Sequence, residues 1–222
     1  MSITPESVRE LLQSDNMGDR IRGVNQLRQL DEAVAFEILQ PAIADSSSRV
    51  RYAAVSQMAS LGHQDREASL QILRDRLFND SEIDVQAAAA DALGALQLTE
   101  AFEELEQVYR NTSEWLLKFS IVAALGTMND PRCFPLLEDA LDSSEELVKT
   151  AAISSLGELG DRRAIPLLLP YAQNSDWQIR HRVAQAFGYL GGTEVLATLE
   201  ELAQDDVEPV AQTAIAGLAA VR

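Results

Sequence analysis

One helical pattern returns along this chain at intervals of about 31 residues. VRYAAVSQMASLG, from Val50, is followed by VQAAAADALGALQ from Val85, LKFSIVAALGTMN from Leu117, VKTAAISSLGELG from Val148, IRHRVAQAFGYLG from Ile179 and VAQTAIAGLAAVR from Val210. The spacings are 35, 32, 31, 31 and 31 residues. An earlier copy, DRIRGVNQLRQLD from Asp19, fits with slippage of a residue or two. A fixed period of this length marks a repeat array, and few folds accommodate one.

Within each copy the apolar residues fall at offsets 0, +4, +5, +8 and +11, as in Val148, Ala152, Ile153, Leu156 and Leu159. They form one wide face at helical period, so each copy is expected to be a helix. Ser46, Ser81, Ser113, Ser144, Ser175 and Asp206 stand four residues before the anchors and are expected N-caps. Gly62, Gly160 and Gly191 follow the last apolar position, where a left-handed residue can end a helix. Between the copies lie second amphipathic segments such as PRCFPLLEDAL from Pro131, RRAIPLLLPYA from Arg162 and TEVLATLEELA from Thr193.

Each unit is therefore a helix pair, and a lone pair buries too little apolar surface to offset the entropy of ordering it. The expectation is all-α, a right-handed α-solenoid of about seven helix pairs, with residues 1–222 as a single repeat domain. A polar ladder should accompany the core. Arg51, Gln86, Lys118, Lys149, Arg180 and Ala211 follow the anchors by one residue, and Asp45, Asp80, Thr112, Ser143, Asn174 and Asp205 precede them by five. This spacing lets a cation of one repeat reach the helix start of the next, where a partly buried charge finds its partner.

Composition narrows the function classes. The formal net charge is −17; residues 1–51 hold eight acids against six bases, and the rest hold twenty-seven against twelve. Polyphosphate binding needs a basic stripe to displace counterions, so nucleic acid is not an expected partner. Cys133 is the single cysteine, which excludes an intramolecular disulfide framework and a cysteine-rich metal site. It aligns with Ala164 and Val195 on the core side of the first helices, where a small buried thiol is expected. No apolar run approaches the roughly 20 residues of a membrane span, and MSITPESVRE has no basic start followed by an apolar core, so a cytoplasmic protein is expected. No phosphate loop, nucleophile elbow, zinc spacing or paired-carboxylate motif occurs, and no permanent cofactor or metal is expected. His63 reads as a loop residue, and the runs EELE near Glu103 and EELAQDD near Glu200 as solvated helix faces.

The unit DSSSRVRYAA from Asp45 resembles the HEAT family, and the short period is similar to the HEAT-like repeat of phycobilisome lyases. MSITPESV, GDRIRGVNQLRQLD and RVRYAAVSQ look like the phycobilisome-degradation branch of the E/F-type bilin lyases. This resemblance implies binding to phycobiliproteins such as phycocyanin and allophycocyanin, contact with an open-chain tetrapyrrole such as phycocyanobilin, and removal of that chromophore under nutrient stress. Two other readings stay open: a lyase subunit that attaches or transfers phycocyanobilin, and a HEAT-like scaffold for an unrelated protein. Any activity is expected to be non-hydrolytic.

In the family the second helix of each pair lines the concave side, and offsets −2, +2, +3, +6 and +10 point away from the core. Trp115 and Trp177 share offset −2, two repeats apart, where other copies have Ser48, Ile83, Glu146 and Glu208. Tyr52, Phe119 and His181 stand at +2, Arg182 at +3, Gln185 at +6, and Glu158 and Tyr189 at +10. A bilin has a conjugated face and two propionates, which suit aromatic walls and a guanidinium. Trp115, Phe119, Trp177, His181, Arg182 and Tyr189 are therefore the expected binding residues. His181 is the one candidate for moving a proton, with Glu158 or Tyr189 as helpers.

Overall fold

The computed structural model describes residues 3–221. The first two residues of MSITPESV and the closing Arg222 of the last copy lie outside that range. Among the described residues are fourteen α-helices and six short 3-10 turns, without strands. The helices form seven successive pairs: α1 (Pro5–Leu12) with α2 (Met17–Gln26), α3 (Glu32–Ile43) with α4 (Ser48–Leu61), α5 (Arg66–Asn79) with α6 (Ile83–Ala95), and α7 (Phe102–Asn111) with α8 (Trp115–Thr127). Three more follow: α9 (Phe134–Ala140) with α10 (Glu146–Leu159), α11 (Ala164–Leu168) with α12 (Trp177–Leu190), and α13 (Leu196–Leu202) with α14 (Glu208–Val221). This is the all-α, helix-pair organisation of an α-solenoid, as the period requires.

The chain divides into two compact units, Met1–Ala124 and Leu125–Arg222, with the boundary inside α8. In the first, α2 packs on α4 and α4 on α6, while α1, α3 and α5 cover their partners. In the second, α10 packs on α12 and α12 on α14, with α9 and α13 against their partners. All six anchors, Val50, Val85, Leu117, Val148, Ile179 and Val210, are buried.

The sequence pattern understates two features of the packing. In the second unit the second helices approach almost backbone to backbone. A Cβ on Gly157 would lie 2.6 Å from the Cα of Ala186, and one on Gly126 would lie 2.7 Å from the Cα of Ser155. These glycines share offset +9, and their neighbours share offset +7 of the next repeat. The other feature is a proline effect. Pro170 has no amide hydrogen and clashes with the preceding turn, so α11 stops after Leu168 and continues as 3-10 turns over Leu169–Gln173.

The helix starts correct one expectation. The residues at offset −4 are not the caps; helices α4, α6, α10 and α12 begin one residue later, from Ser47, Glu82, Glu145 and Asp176. The turn into each helix is held from offset −5 instead. Asp45 accepts from the Ser47 amide at 2.7 Å, Asp80 from Glu82 at 3.1 Å, Thr112 from Glu114 at 3.1 Å, Ser143 from Glu145 at 3.2 Å, Asn174 from Asp176 at 2.8 Å and Asp205 from Val207 at 2.9 Å. A short side chain bonded to its own backbone two residues on closes the turn, which a cap at −4 would not do. Gly160 and Gly191 take positive φ as expected, at 73° and 62°. Gly62 does not; its φ is −66°, and a Cβ there would meet Leu96 Cδ1 at 2.5 Å and Ser69 Oγ at 2.9 Å.

The ladder is present where both Arg and Asp occur. Arg51 grips Asp80 through Nε and Nη2 at 2.8 and 2.7 Å, and Arg180 grips Asp205 at 2.6 and 2.9 Å. Each third guanidinium nitrogen donates to the carbonyl at offset −5 of its own repeat, Asp45 at 3.0 Å and Asn174 at 2.8 Å. A further rung joins Arg20 to Asp45 at 2.7 and 3.0 Å. That rung fixes the first copy without slippage: Asp19, half-buried, occupies the anchor position. The residues at this offset in the middle repeats do other work. Gln86 donates to the Asp80 carbonyl at 2.7 Å, Lys118 lies 5.2 Å from the centre of the Tyr109 ring, and Lys149 meets Glu146 at 3.1 Å.

Candidate functional site

The second helices turn offsets −2, +2, +3, +6 and +10 away from their apolar faces, and there the expected site residues are found. On α12, Trp177 is 41% and Tyr189 59% exposed, Arg182 is exposed, and His181 and Gln185 are half-buried. One turn apart, Trp177 and His181 meet edge to face, with ring centres 6.5 Å apart and planes at 72°. Arg182 Nη1 donates to Gln185 Oε1 at 3.4 Å, and Gln185 Nε2 donates to the Tyr189 hydroxyl at 3.4 Å. An indole, an imidazole, a guanidinium and a phenol thus run down one side of one helix, steadied by a single amide.

The charges on this face are coupled. Burial, and next the charge of Arg182, hold His181 below the ordinary histidine range, so its ring is neutral at physiological pH. Burial raises the Glu158 carboxyl on α10, while Arg182 acts in the opposite direction. Arg182 is therefore the cation this face presents to an acidic group, and His181 presents a lone pair. Trp177 also borders an open groove of about 520 Å³ with Asn174, Arg180, Asp205 and Asp206.

Trp115 and Phe119 lie on α8 in residues 1–124, and the other four expected residues lie in residues 125–222. Trp115 is 45% exposed and Phe119 half-buried. Neither tryptophan serves a core.

Reading the outward offsets for aromatics and cations misses another feature of the first unit. Tyr52, Asp84, Ala87, Ala88, Asp91, Leu116 and Ser120 line a groove of about 290 Å³. Asp91 is open to solvent at its mouth but is flanked by small and apolar side chains. This desolvation pushes its carboxyl above the usual range against a hydrogen bond from Ser120. The signal was present in the sequence at offset +6, where α12 carries Gln185.

Cys133 is fully buried, as are its register partners Ala164 and Val195, and burial pushes its thiol up to about 12. Since the thiolate is the nucleophile, native protein is expected to leave Cys133 unmodified by iodoacetamide at pH 8, and denatured protein to react. Stoichiometric labelling of the native chain, read by mass spectrometry, would contradict this. His63 lies exposed in a turn, 3.0 Å from Glu32. Of the acidic runs, Glu103, Glu200 and Glu201 are solvated, but Glu104 meets Arg74 at 2.8 Å and the Asp205 side chain is 7% exposed in its rung. No group of metal-binding side chains occurs among the described residues, and no described helix is long and apolar enough to cross a membrane.

The family model described as HEAT repeats matches residues 70–157 and 135–219. No curated protein sequence matches the chain. Among solved structures, the complex of CpcE and CpcF of phycocyanin lyase from Nostoc sp. PCC7120 is similar over 100% of this chain and 96% of that chain, with 20% identity and a TM-score of 0.67. An engineered protein is similar over 98% of this chain and 68% of its own, with 18% identity and a TM-score of 0.61. Human deoxyhypusine hydroxylase matches 98% of this chain and 95% of its own, at 18% identity and a TM-score of 0.46. At these identities the likeness is one of fold.

Proposed function

The chain belongs to the HEAT-repeat family, and from that premise we propose that it binds phycobiliproteins and acts on their bilin chromophore, in the direction of detachment. The observation that carries this reading is the α12 face: an exposed Trp177 set against His181, beside the exposed guanidinium of Arg182 and the Tyr189 phenol. An aromatic edge and a guanidinium suit a flat conjugated pigment with carboxylate arms. Trp115 and Phe119 offer the same kind of surface on α8. The likeness in fold to a phycocyanin lyase complex favours a second reading, a lyase subunit that attaches the pigment.

Detachment reverses the addition of a thiol. A base removes a proton from the carbon beside the thioether carbon, that C–H pair becomes a double bond, and the C–S pair leaves with sulfur as a thiolate. His181, neutral at physiological pH, is the group on this face suited to accept the proton.

The test mixes the protein with holo-phycocyanin, and separately with apo-phycocyanin and phycocyanobilin, and measures covalent bilin after denaturation. Loss from the holo-protein supports detachment, gain on the apo-protein supports the lyase reading, and no change in either sample with no binding leaves a scaffold for another partner. Trp177→Ala with Arg182→Ala is expected to weaken binding roughly tenfold or more, and Trp115→Ala with Trp177→Ala to weaken it likewise, both with unchanged far-ultraviolet circular dichroism. His181→Gln should stop detachment while binding persists.

A further inference from the structure

The first unit contains a groove that the bilin reading does not use. At offsets +2 and +3 the second helices carry Tyr52 and Ala53, Phe119 and Ser120, Thr150 and Ala151, His181 and Arg182, and Gln212 and Thr213. Helix α6 has Ala87 and Ala88 there, and both are buried. Two missing side chains on one helix, between longer ones on α4 and α8, leave a recess of about 290 Å³. That is the lower end of the size range of small-molecule pockets. Tyr52, 49% exposed, forms one wall, Leu116 and Ser120 the opposite one, and Asp84 and Asp91 supply the only charges of the lining.

The Asp91 carboxylate at the mouth of this recess is not neutralised. Ser120 is 4% exposed, and its hydroxyl acts to lower the Asp91 carboxyl from the α8 side. Among the described residues, no Lys, Arg or His forms an ion pair with Asp91 or Asp84. The nearby cation Arg51 is committed to Asp80. A recess with an alanine floor admits an aliphatic stem, a desolvated carboxylate favours a positive end group, and a phenol face attracts the same group through its ring.

We propose that this groove, walled by Tyr52 and Leu116, floored by Ala87 and Ala88 and bearing Asp91 at its mouth, binds an alkylammonium group on an unbranched stem. A protein partner's lysine side chain or a free alkyl diamine presents that chemistry. Asp91 takes the ammonium, Ser120 favours the charged form of Asp91, Asp84 adds long-range attraction at the mouth, and Tyr52 covers the stem.

The experiment titrates the full-length 15N-labelled chain with two probes and follows amide shifts. Acetyl-Gly-Lys-Gly-amide stands for a lysine in a partner protein, and 1,5-diaminopentane for the free amine. At least one probe is expected to bind with a dissociation constant on the order of 1 mM, with shifts confined to α4, α6 and α8 around Tyr52, Ala88 and Ser120. Asp91→Asn should weaken it about tenfold, Tyr52→Ala roughly threefold, and the Nε-acetylated peptide should not bind. Binding of the peptide alone assigns the groove to a protein partner, and binding of the diamine alone assigns it to a free amine; either supports the proposal. Glu103→Gln with Glu106→Gln removes two acids elsewhere and should change nothing. Shifts spread over the acidic surface, equal weakening by that control pair, or affinity unchanged in Asp91→Asn and in Asp84→Asn would each overturn it.

Discussion

Gly157→Val is expected to lower the thermal unfolding midpoint by about 6–12 °C. Helix α10 passes so close to α12 that even a first carbon on residue 157 would sit 2.6 Å from both Cα and Cβ of Ala186. Backbone on one side and a buried helix on the other leave nowhere for the added methyls to go, so α10 and α12 must separate. Overpacking of this kind costs about 3 kcal/mol, and each kcal/mol shifts the midpoint of a chain this size by about 2–4 °C. The contrast is Gly188→Ala. Its Cβ would meet Gly217 Cα at 3.3 Å, a gap the helices can absorb, while alanine favours the helix by about 1 kcal/mol. Melting followed by circular dichroism should therefore show Gly157→Val well below wild type and Gly188→Ala level with it or above. Equal losses from both would mean that the close approach does not hold these helices together.

Asp80→Ala is expected to be at least as damaging. The Asp80 side chain is 1% exposed, receives two hydrogen bonds from Arg51 and one from Arg76 at 3.2 Å, and accepts the Glu82 amide that opens α6. Its removal strands the 12% exposed Arg51 and loosens a helix start, at about 3–5 kcal/mol. Arg51→Met with Asp80→Ala removes both charges and should recover part of that loss; a double variant as unstable as Asp80→Ala would place the damage in the turn alone.

The rungs also fix the response to acid. Burial acts to raise the Asp80 carboxyl, but the Arg51 hydrogen bonds, the Glu82 amide and the nearby arginines together bring it below the usual range. Asp205 is held at about 2, chiefly by hydrogen bonding to Arg180 and against burial. A carboxylate whose folded pKa lies below its unfolded value of about 3.9 contributes fully above that value, because the unfolded chain takes up the proton first. Its stabilisation is lost as pH falls from about 4 through the folded pKa. Urea midpoints of wild type minus Asp205→Asn should therefore be constant from pH 7 to about 5 and shrink toward pH 2. A difference independent of pH would show that the rung works through shape and not charge.

How much of this was legible varied with the physics. The helix-pair array was readable because burial repeats: an apolar side chain at every anchor has one explanation over six copies. The end rungs were readable too, since Arg51 with Asp80 and Arg180 with Asp205 stand at fixed offsets. The caps were placed one residue early because serine at offset −4 has the right chemistry; only geometry shows that the −5 side chain already bonds the amide two residues on. The glycines at offset +9 carried a signal of their own, yet a missing side chain has no hydropathy and slips past an apolar pattern. The recess over α6 escaped for the same reason, with the search for outward aromatics and cations passing over two alanines and an acid.

Each rung aspartate closes the turn of its own repeat and receives the arginine of the one before. The array can accordingly be lengthened or shortened in whole repeats without inventing a new joint. Excision of residues 45–79 would join Ala44 to Asp80 and offer Arg20 a carboxylate at the register it now finds in Asp45. A deletion one residue longer would carry Asp80 away and lose both the turn and the rung in the same step. Duplication and loss of the repeats that carry a rung are thereby held to a fixed reading frame of structure, set by one aspartate in each.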